Sequence, residues 1–329
     1  MSRRARTLAP RSITSLDPER RNAILLIAGI GIVIGLALAL VAYGYYNDRI
    51  APKHETVLKV GKREFDYAFF ERRVRAEIEL GRISQGNIAN GLSFVFAVLE
   101  REELVRQAAK SSGVTASAEE VEEQIRKSLS LSEGISRDGF AENYRYELLR
   151  LKLSPDEYGE SARAQVLEAK LRAQLAAAAP AQTDFVSMRL IQVASLEEAQ
   201  QARQRIERDE FGNLSNSFGV VATEVSRHAS SETGGEMGWR ARGSLSTKVE
   251  EVAFSLTGLS DVIEANGSFF LLYVRGTAVR DVGEEDRDEI GQQGLANLLT
   301  KTRDELGSEI VATEEQLQRL VISLNRSFG

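Results

Sequence analysis

The sequence predicts an α+β protein built in series: an N-terminal transmembrane helix, a helical module, an inserted α+β domain and C-terminal helices. Three observations predict it. Ala23–Tyr46 is uncharged, capping signals and apolar positions at helical spacing recur over about 57–178 and again from about 284 to 323, and the runs FVSMRLIQV and SFFLLYVRG between those stretches read as strands.

The first element is the membrane segment. As a helix, Ala23–Tyr46 would reach roughly 36 Å at about 1.5 Å per residue, enough to cross a bilayer. Residues 1–22 hold six arginines against Asp17 and Glu19, a local +4 in a chain of net charge −6, and Tyr43, Tyr45 and Tyr46 cluster at the far end. Basic residues on one side and an aromatic belt on the other place the 1–22 tail in the cytoplasm and the bulk of the chain outside it, at the inner (plasma) membrane. The rival expectation is a cleaved signal, because Ala37-Leu38-Ala39 forms a small-residue cleavage pattern, but the apolar run continues past it and an uncleaved anchor is favoured. Gly31 and Gly35 have the GxxxG spacing of a helix-pairing face, which would allow a homodimer.

Beyond the anchor, composition removes several function classes. The remaining residues carry a net −10, which argues against a nucleic-acid partner. The absence of cysteine rules out disulfides and thiolate metal sites, and two histidines make a histidine-rich metal centre unexpected. No cofactor and no metal are expected.

VLKVGKREF (57–65) reads as a strand and turn, and the following helix presents Tyr67, Phe70, Val74 and Ile78 on one face. A second helix runs from about Leu92 to Lys110. Ser117 and Glu120 form a capping box for a third, 139–153 gives a fourth, and Ser154-Pro155 opens a long one reaching about Ala178. AAAAPAQT (176–183) is a small-residue linker. After it come a strand over 185–193, a helix over 196–208, a polar loop, and the stretch GGEMGW (234–239) holding the only tryptophan. Acidic helices return after 284, with Thr313 and Gln316 as a further capping box.

The order MRLIQV, EEAQQARQRI, GGEMGW, RGSL, KVEEVAFSL, NGSFFLLYV resembles a parvulin-type (PpiC-type) peptidyl-prolyl isomerase domain over 183–280. Parvulins carry a G-G-[DE]-L-G-[WF] turn, an R-G-x-[ML] segment and an E-x-A-F-x-L helix, here Gly234–Trp239, Arg242–Leu245 and Glu251–Leu256. LEREELVRQAAKSSGVTASAEEVEEQI (99–125) is similar to the helical chaperone region of SurA-like and PrsA-like foldases, and with an anchor the whole resembles PpiD-type foldases. The resemblance implies a SurA-like helical chaperone region over 50–178, with 281–329 as C-terminal helices packing back on it.

The resemblance also implies a site: two histidines and an Asp or Cys around the prolyl peptide, beside an apolar pocket. Position by position, the first histidine falls on Arg189, the acidic or cysteine position near Arg227 and the second histidine on Phe269 or Phe270. None matches. An arginine that stays protonated and a phenylalanine without a polar atom cannot rebuild the network, so no residue is a confident catalytic candidate, and His228 is the one possible substitute. Met237, Trp239, Leu245 and Val249 fall at substrate-binding positions, while core packing is the alternative role for all four, as for Phe254 and the Phe269–Leu272 run. The expected function is an extracytoplasmic (periplasmic) foldase and chaperone binding unfolded or nascent exported polypeptides, with isomerase catalysis weak or lost. The alternatives are an active peptidyl-prolyl isomerase with atypical residues, and a scaffold for one fixed partner.

Overall fold

The computed structural model describes residues 35–40, 54–132, 134–207 and 213–328. Most of the expected anchor lies outside these residues. Of it, 35–40 are described as helical and exposed, and among the described residues no helix is long and apolar enough to cross a membrane. Gly31 likewise lies outside them.

The chain first forms a hairpin, β1 (Thr56–Val60) and β2 (Arg63–Asp66), with Gly61 at φ 57° supplying the left-handed turn. Asp66 then caps α1 (Tyr67–Glu79), its side chain accepting from Phe69 N–H at 2.7 Å. Helix α2 (Ile88–Ser111) begins one turn before the expected Leu92, because Ile88 is apolar enough to be buried in the same core. Three more helices follow: α3 (Ala118–Ser128), α4 (Arg137–Leu151) and α5 (Pro155–Ala177). The expected capping box at Ser117/Glu120 forms with both reciprocal bonds present, and Ser154, expected as a cap, forms a second box with Glu157.

After α5 the chain enters an antiparallel sheet. Strand β3 (Gln182–Val193) lies at its centre between β4 (Glu236–Ala241) and the long β7 (Ser268–Asp281), and β7 also pairs with β5 (Gly258–Leu259) and β6 (Ile263–Ala265). Helices α6 (Leu196–Glu207) and α7 (Leu214–Val225) cover one face. Helix α8 (Thr247–Ala253) covers the other. Helix α7 corrects the expected polar loop: Ser and Asn dominate its start, yet Leu214, Phe218, Val221, Ala222 and Val225 repeat at helical spacing and pack beneath the sheet.

The last segment returns to the beginning. Helix α9 (Glu284–Leu306) runs along α5, and strand β8 (Ser308–Ile310) pairs antiparallel with β1, Leu58 opposite Ile310. Helix α10 (Glu314–Phe328) follows, its Thr313/Gln316 box formed. The uninterrupted helical reading after 284 missed β8, a three-residue strand too short to show a period. One apolar core joins Val57, Phe70, Val95 and Leu99 from the N-terminal part with Leu167 and Leu171 of α5, Leu295 and Leu299 of α9 and Leu320 and Leu324 of α10. Close approach of α9 to α5 requires Gly291, where a Cβ would lie 2.7 Å from the Arg172 carbonyl oxygen.

Candidate functional site

The site expected from the sequence is built around the GGEMGW turn. A five-residue 3₁₀ turn, Ala229–Thr233, ends on Gly234 at φ 67°, and Gly235 follows at φ 77°. There the backbone runs close under β3. Leu190 N–H donates to the Gly235 carbonyl at 2.8 Å, and a Cβ on Gly235 would sit 2.6 Å from the Leu190 carbonyl oxygen. Glycine is therefore required at this point for both space and dihedral angle. The Arg242–Gly243 and Glu250–Phe254 segments lock onto each other in turn. Gly243 N–H donates to Glu250 at 2.6 Å, and the Arg242 guanidinium stands 4.0 Å from the Phe254 ring centroid.

Alternation along β3 divides the expected residues between the two faces of the sheet. Met188, Leu190, Leu272 and Val274 face α8, in a core that also takes in Leu245 and Val249, at 7% and 3% exposure, with Met237 packed at its edge. Leu245 and Val249 thus contribute mainly core surface. Trp239 lies apart from them. It is opposite Ser187, on the face that bears Phe185 and Arg280, and the Arg280 guanidinium stacks 5.0 Å from its ring.

Arg189 points to the α7 side of the sheet. Its Nη1 donates to the Ser215 carbonyl, and its Nε lies 3.3 Å from Glu236 Oε2. Glu236 also accepts from Arg275 and, at 3.0 Å, from Gly238 N–H. Partial burial would raise the Glu236 carboxyl, but Arg275, the Gly238 N–H and Arg189 together hold it below the ordinary carboxylate value. An arginine thus stands where the resemblance sets the first histidine, in an Arg189–Glu236–Arg275 cluster that is bridged by Glu236 and keeps a net positive charge. The sequence points to Arg189 but not to its partners, since Ser215 belongs to α7, which reads as a loop, and Glu236 lies on another strand.

The second histidine position is no nearer to it. Phe269 is opposite Val193 and Arg189 opposite Tyr273, so the two stand four residues apart along the ladder, about 13 Å at about 3.3 Å per residue. Phe269 packs with the α6–α7 core and Phe270 with the α8 core. Arg227 turns outward to Glu198, 3.6 Å away. Among the described residues no group of three or more metal-ligating side chains could hold a metal ion.

His228 is held at the start of the 3₁₀ turn. Its Nδ1 accepts from Ser230 N–H at 3.2 Å and lies 2.9 Å from Ser230 Oγ, the geometry that suits the tautomer with its proton on Nε2. Burial first, and the Arg240 charge second, push its pKa below the ordinary 6.5. A depressed histidine pKa means that the unfolded chain takes up the proton more readily, so the contribution of this turn to stability is present above pH 6.5 and is lost as pH falls through the folded-state value. Proton NMR should show the His228 imidazole titrating below 6.5. A titration at or above 6.5 would refute this tautomer and cap.

Comparison with protein families gives two matches: a SurA-like N-terminal domain over residues 16–172 and a PPIC-type peptidyl-prolyl isomerase domain over residues 187–276. Comparison with curated proteins finds no match. Among solved structures, the foldase PrsA of Streptococcus pneumoniae is 14% identical, covering 83% of this chain and 94% of its own, at a TM-score of 0.32. One of two SurA-like chaperones of Campylobacter jejuni is 16% identical, covering 64% and 95%, at 0.29. The parvulin domain of PpiD from E. coli is 21% identical, covering 29% and 90%, at 0.25. These superpositions are loose, and the identification rests on the two family matches: the chain carries a SurA-like N-terminal domain followed by a parvulin domain of the PPIC type.

Proposed function

We propose that the protein is a membrane-anchored extracytoplasmic foldase that binds unfolded exported polypeptides and has little or no prolyl isomerase activity. The observation that carries the catalytic half is the Arg189–Glu236–Arg275 cluster, in which the arginine at the position the resemblance gives to the first histidine is already engaged by Glu236. Rotation of an X-Pro amide crosses a barrier of about 18–20 kcal/mol, and a catalyst must stabilise the twisted amide with positioned groups. Arg189 is committed to Ser215 and Glu236, and Phe269 offers no polar atom. For the binding half, support comes from the SurA-like match and from a flexible apolar side chain, Met237, at the edge of the α8 core. The SurA-like match begins at residue 16, ahead of the uncharged run, which supports an anchor that stays with the protein. On this reading 50–178 and 281–329 form one chaperone module with 183–280 inserted.

One observation favours the second reading, an active isomerase. The His228 Nδ1 is taken up by Ser230, burial lowers the pKa of the ring, and among the described residues its Nε2 has no partner. A protease-coupled proline-peptide assay beside an aggregation-suppression assay separates the two. The expected result is suppression of aggregation with isomerisation raised only marginally above the uncatalysed rate, since loss of one positioned donor can cost about 10²–10³ in rate. A robust isomerase rate that survives Arg189→Ala and collapses in His228→Ala would overturn it.

A further inference from the structure

Strand β7 outruns the strands beside it. On its inner side it pairs with β3 as far as Asp281, but on its outer side β6 and β5 accompany it only to Val274. Residues 277–281 are exposed, and they lie just past residue 276, where the PPIC-type match ends. The hydrogen-bonding parity of this arm is set at its end, where Val282 N–H donates to the Ala181 carbonyl at 2.8 Å, one step beyond the Gln182–Asp281 pair. Bonded positions alternate along an antiparallel ladder, so Arg280 and Ala278 turn their backbone groups to β3, while Asp281, Val279 and Thr277 turn theirs outward. Among the described residues these outward N–H and C=O groups meet no protein partner.

An open edge is ordinarily guarded by charged side chains or proline. The arm reads RGTAVRD, without proline or lysine, and each of its charged side chains is drawn back over the sheet. The Arg275 guanidinium bonds to Glu236 on β4, that of Arg280 stacks on Phe185 and Trp239, and Asp281 accepts from Gln182 Nε2 at 2.7 Å. What remains along the edge is Gly276, Thr277, Ala278 and Val279, the last 67% exposed. Thr277 and Val279 present β-branched side chains on one face. On the other, Gly276 leaves room, with nothing within 4 Å of where a Cβ would stand. Such an edge is matched by an uncharged, proline-free strand in which β-branched and aromatic side chains alternate with small polar ones.

Size decides between a second copy and a client. At about 3.3 Å per residue the edge is roughly 20 Å long, and a sheet about 10 Å thick offers on the order of 200 Å² along it. A stable protein pair needs about 800 Å² per partner. Two copies joined here fall far short, whereas brief main-chain pairing with many sequences suits a protein that holds unfolded chains. We propose that the outer edge of β7 at Thr277–Asp281 binds an extended, uncharged segment of an unfolded polypeptide as an added strand, at the opposite edge of the sheet from β4 and Met237. That the segment belongs to a client rests on the chaperone reading above. The open edge itself does not.

The test uses the full chain in lipid nanodiscs and the fluorescence anisotropy of a fluorescein-labelled heptapeptide, threonine and valine alternating about a central tyrosine. The same peptide N-methylated at its three central residues keeps every side chain and loses the main-chain donors. It is expected to bind at least about tenfold more weakly. Because the Thr277 and Val279 N–H groups face away from β3, Thr277→Pro and Val279→Pro each remove an outward donor and leave the ladder intact. Each should weaken binding of the parent peptide at least about tenfold at an unchanged melting temperature. Equal binding of the two peptides, binding that survives in a folded proline variant, or no binding of the parent peptide each overturns the proposal. So does a dimer of the free chain that Val279→Pro makes monomeric, since the occupant is then a second copy. The peptide comparison on the unmodified chain decides the matter even if neither variant folds. Aggregation suppression measured in parallel keeps the two readings apart: peptide binding without suppression supports the edge and overturns the client reading, and suppression without peptide binding does the reverse.

Discussion

A chain cut after residue 280 is expected to lose the folded state of its N-terminal helices. The cut removes Leu295, Leu299, Leu320 and Leu324, all at 5% exposure or less, from the core that holds Val57, Phe70, Val95 and Leu99. Burying one such side chain is worth about 1.5–3 kcal/mol, so the four together represent on the order of 6–12 kcal/mol. That is comparable with the whole net stability of an ordinary domain, about 5–15 kcal/mol. The cut also strips β8 from β1 and exposes the α5 surface against which Gly291 packs. Circular dichroism of the truncated chain should show the cooperative melt of the helices abolished or shifted down by tens of degrees. Unchanged melting would mean that residues 54–177 fold without the C-terminal segment.

The second large effect is expected at Gly235→Ala. The residue sits at φ 77°, where an L side chain costs about 1–2 kcal/mol. Its Cβ would lie 2.6 Å from the Leu190 carbonyl oxygen and 3.1 Å from Ala222 Cβ, so neither backbone nor helix can give way cheaply. Moving the turn breaks the 2.8 Å bond from Leu190 N–H to the Gly235 carbonyl, about a further 0.5–1.5 kcal/mol. A total of about 1.5–3.5 kcal/mol should appear as a lowered urea midpoint followed by the fluorescence of Trp239, which reports on β4 directly. The same substitution at Gly238, also at positive φ but with nothing within 4 Å of a Cβ, should cost only the dihedral part. Equal losses at the two positions would refute the close-approach account.

The parts of this molecule legible in the sequence are those with local causes. Capping boxes at Ser117, Ser154 and Thr313 involve residues three apart and fix helix starts whatever the rest of the chain does. Glycines 234 and 235 likewise announce a turn. Strand β8 and the partners of Arg189 were not legible, because a three-residue strand and an ion pair between residues 189 and 236 exist only once distant segments meet. Helix α7 was legible in principle from the spacing of Phe218, Val221, Ala222 and Val225, but Ser and Asn at its start outweighed that signal. The division of the expected pocket residues between the faces of the sheet depends on register, in particular the irregularities at 187/188 and 188/189, and no composition rule supplies it.

The pairing of β8 with β1 also sets the order in which the molecule can mature during synthesis. Residues 182–281 contain every strand of their own sheet, with Gln182 Nε2 bonded to Asp281 Oδ1 at 2.7 Å where the two ends meet, so that sheet can close as soon as residue 281 has emerged. The hairpin at 56–66 is made far earlier, yet its third strand and two helices of its core arrive only with residues 284–324. Until then its apolar surface stays uncovered, and the earliest-made part of the folded molecule is the last to be finished.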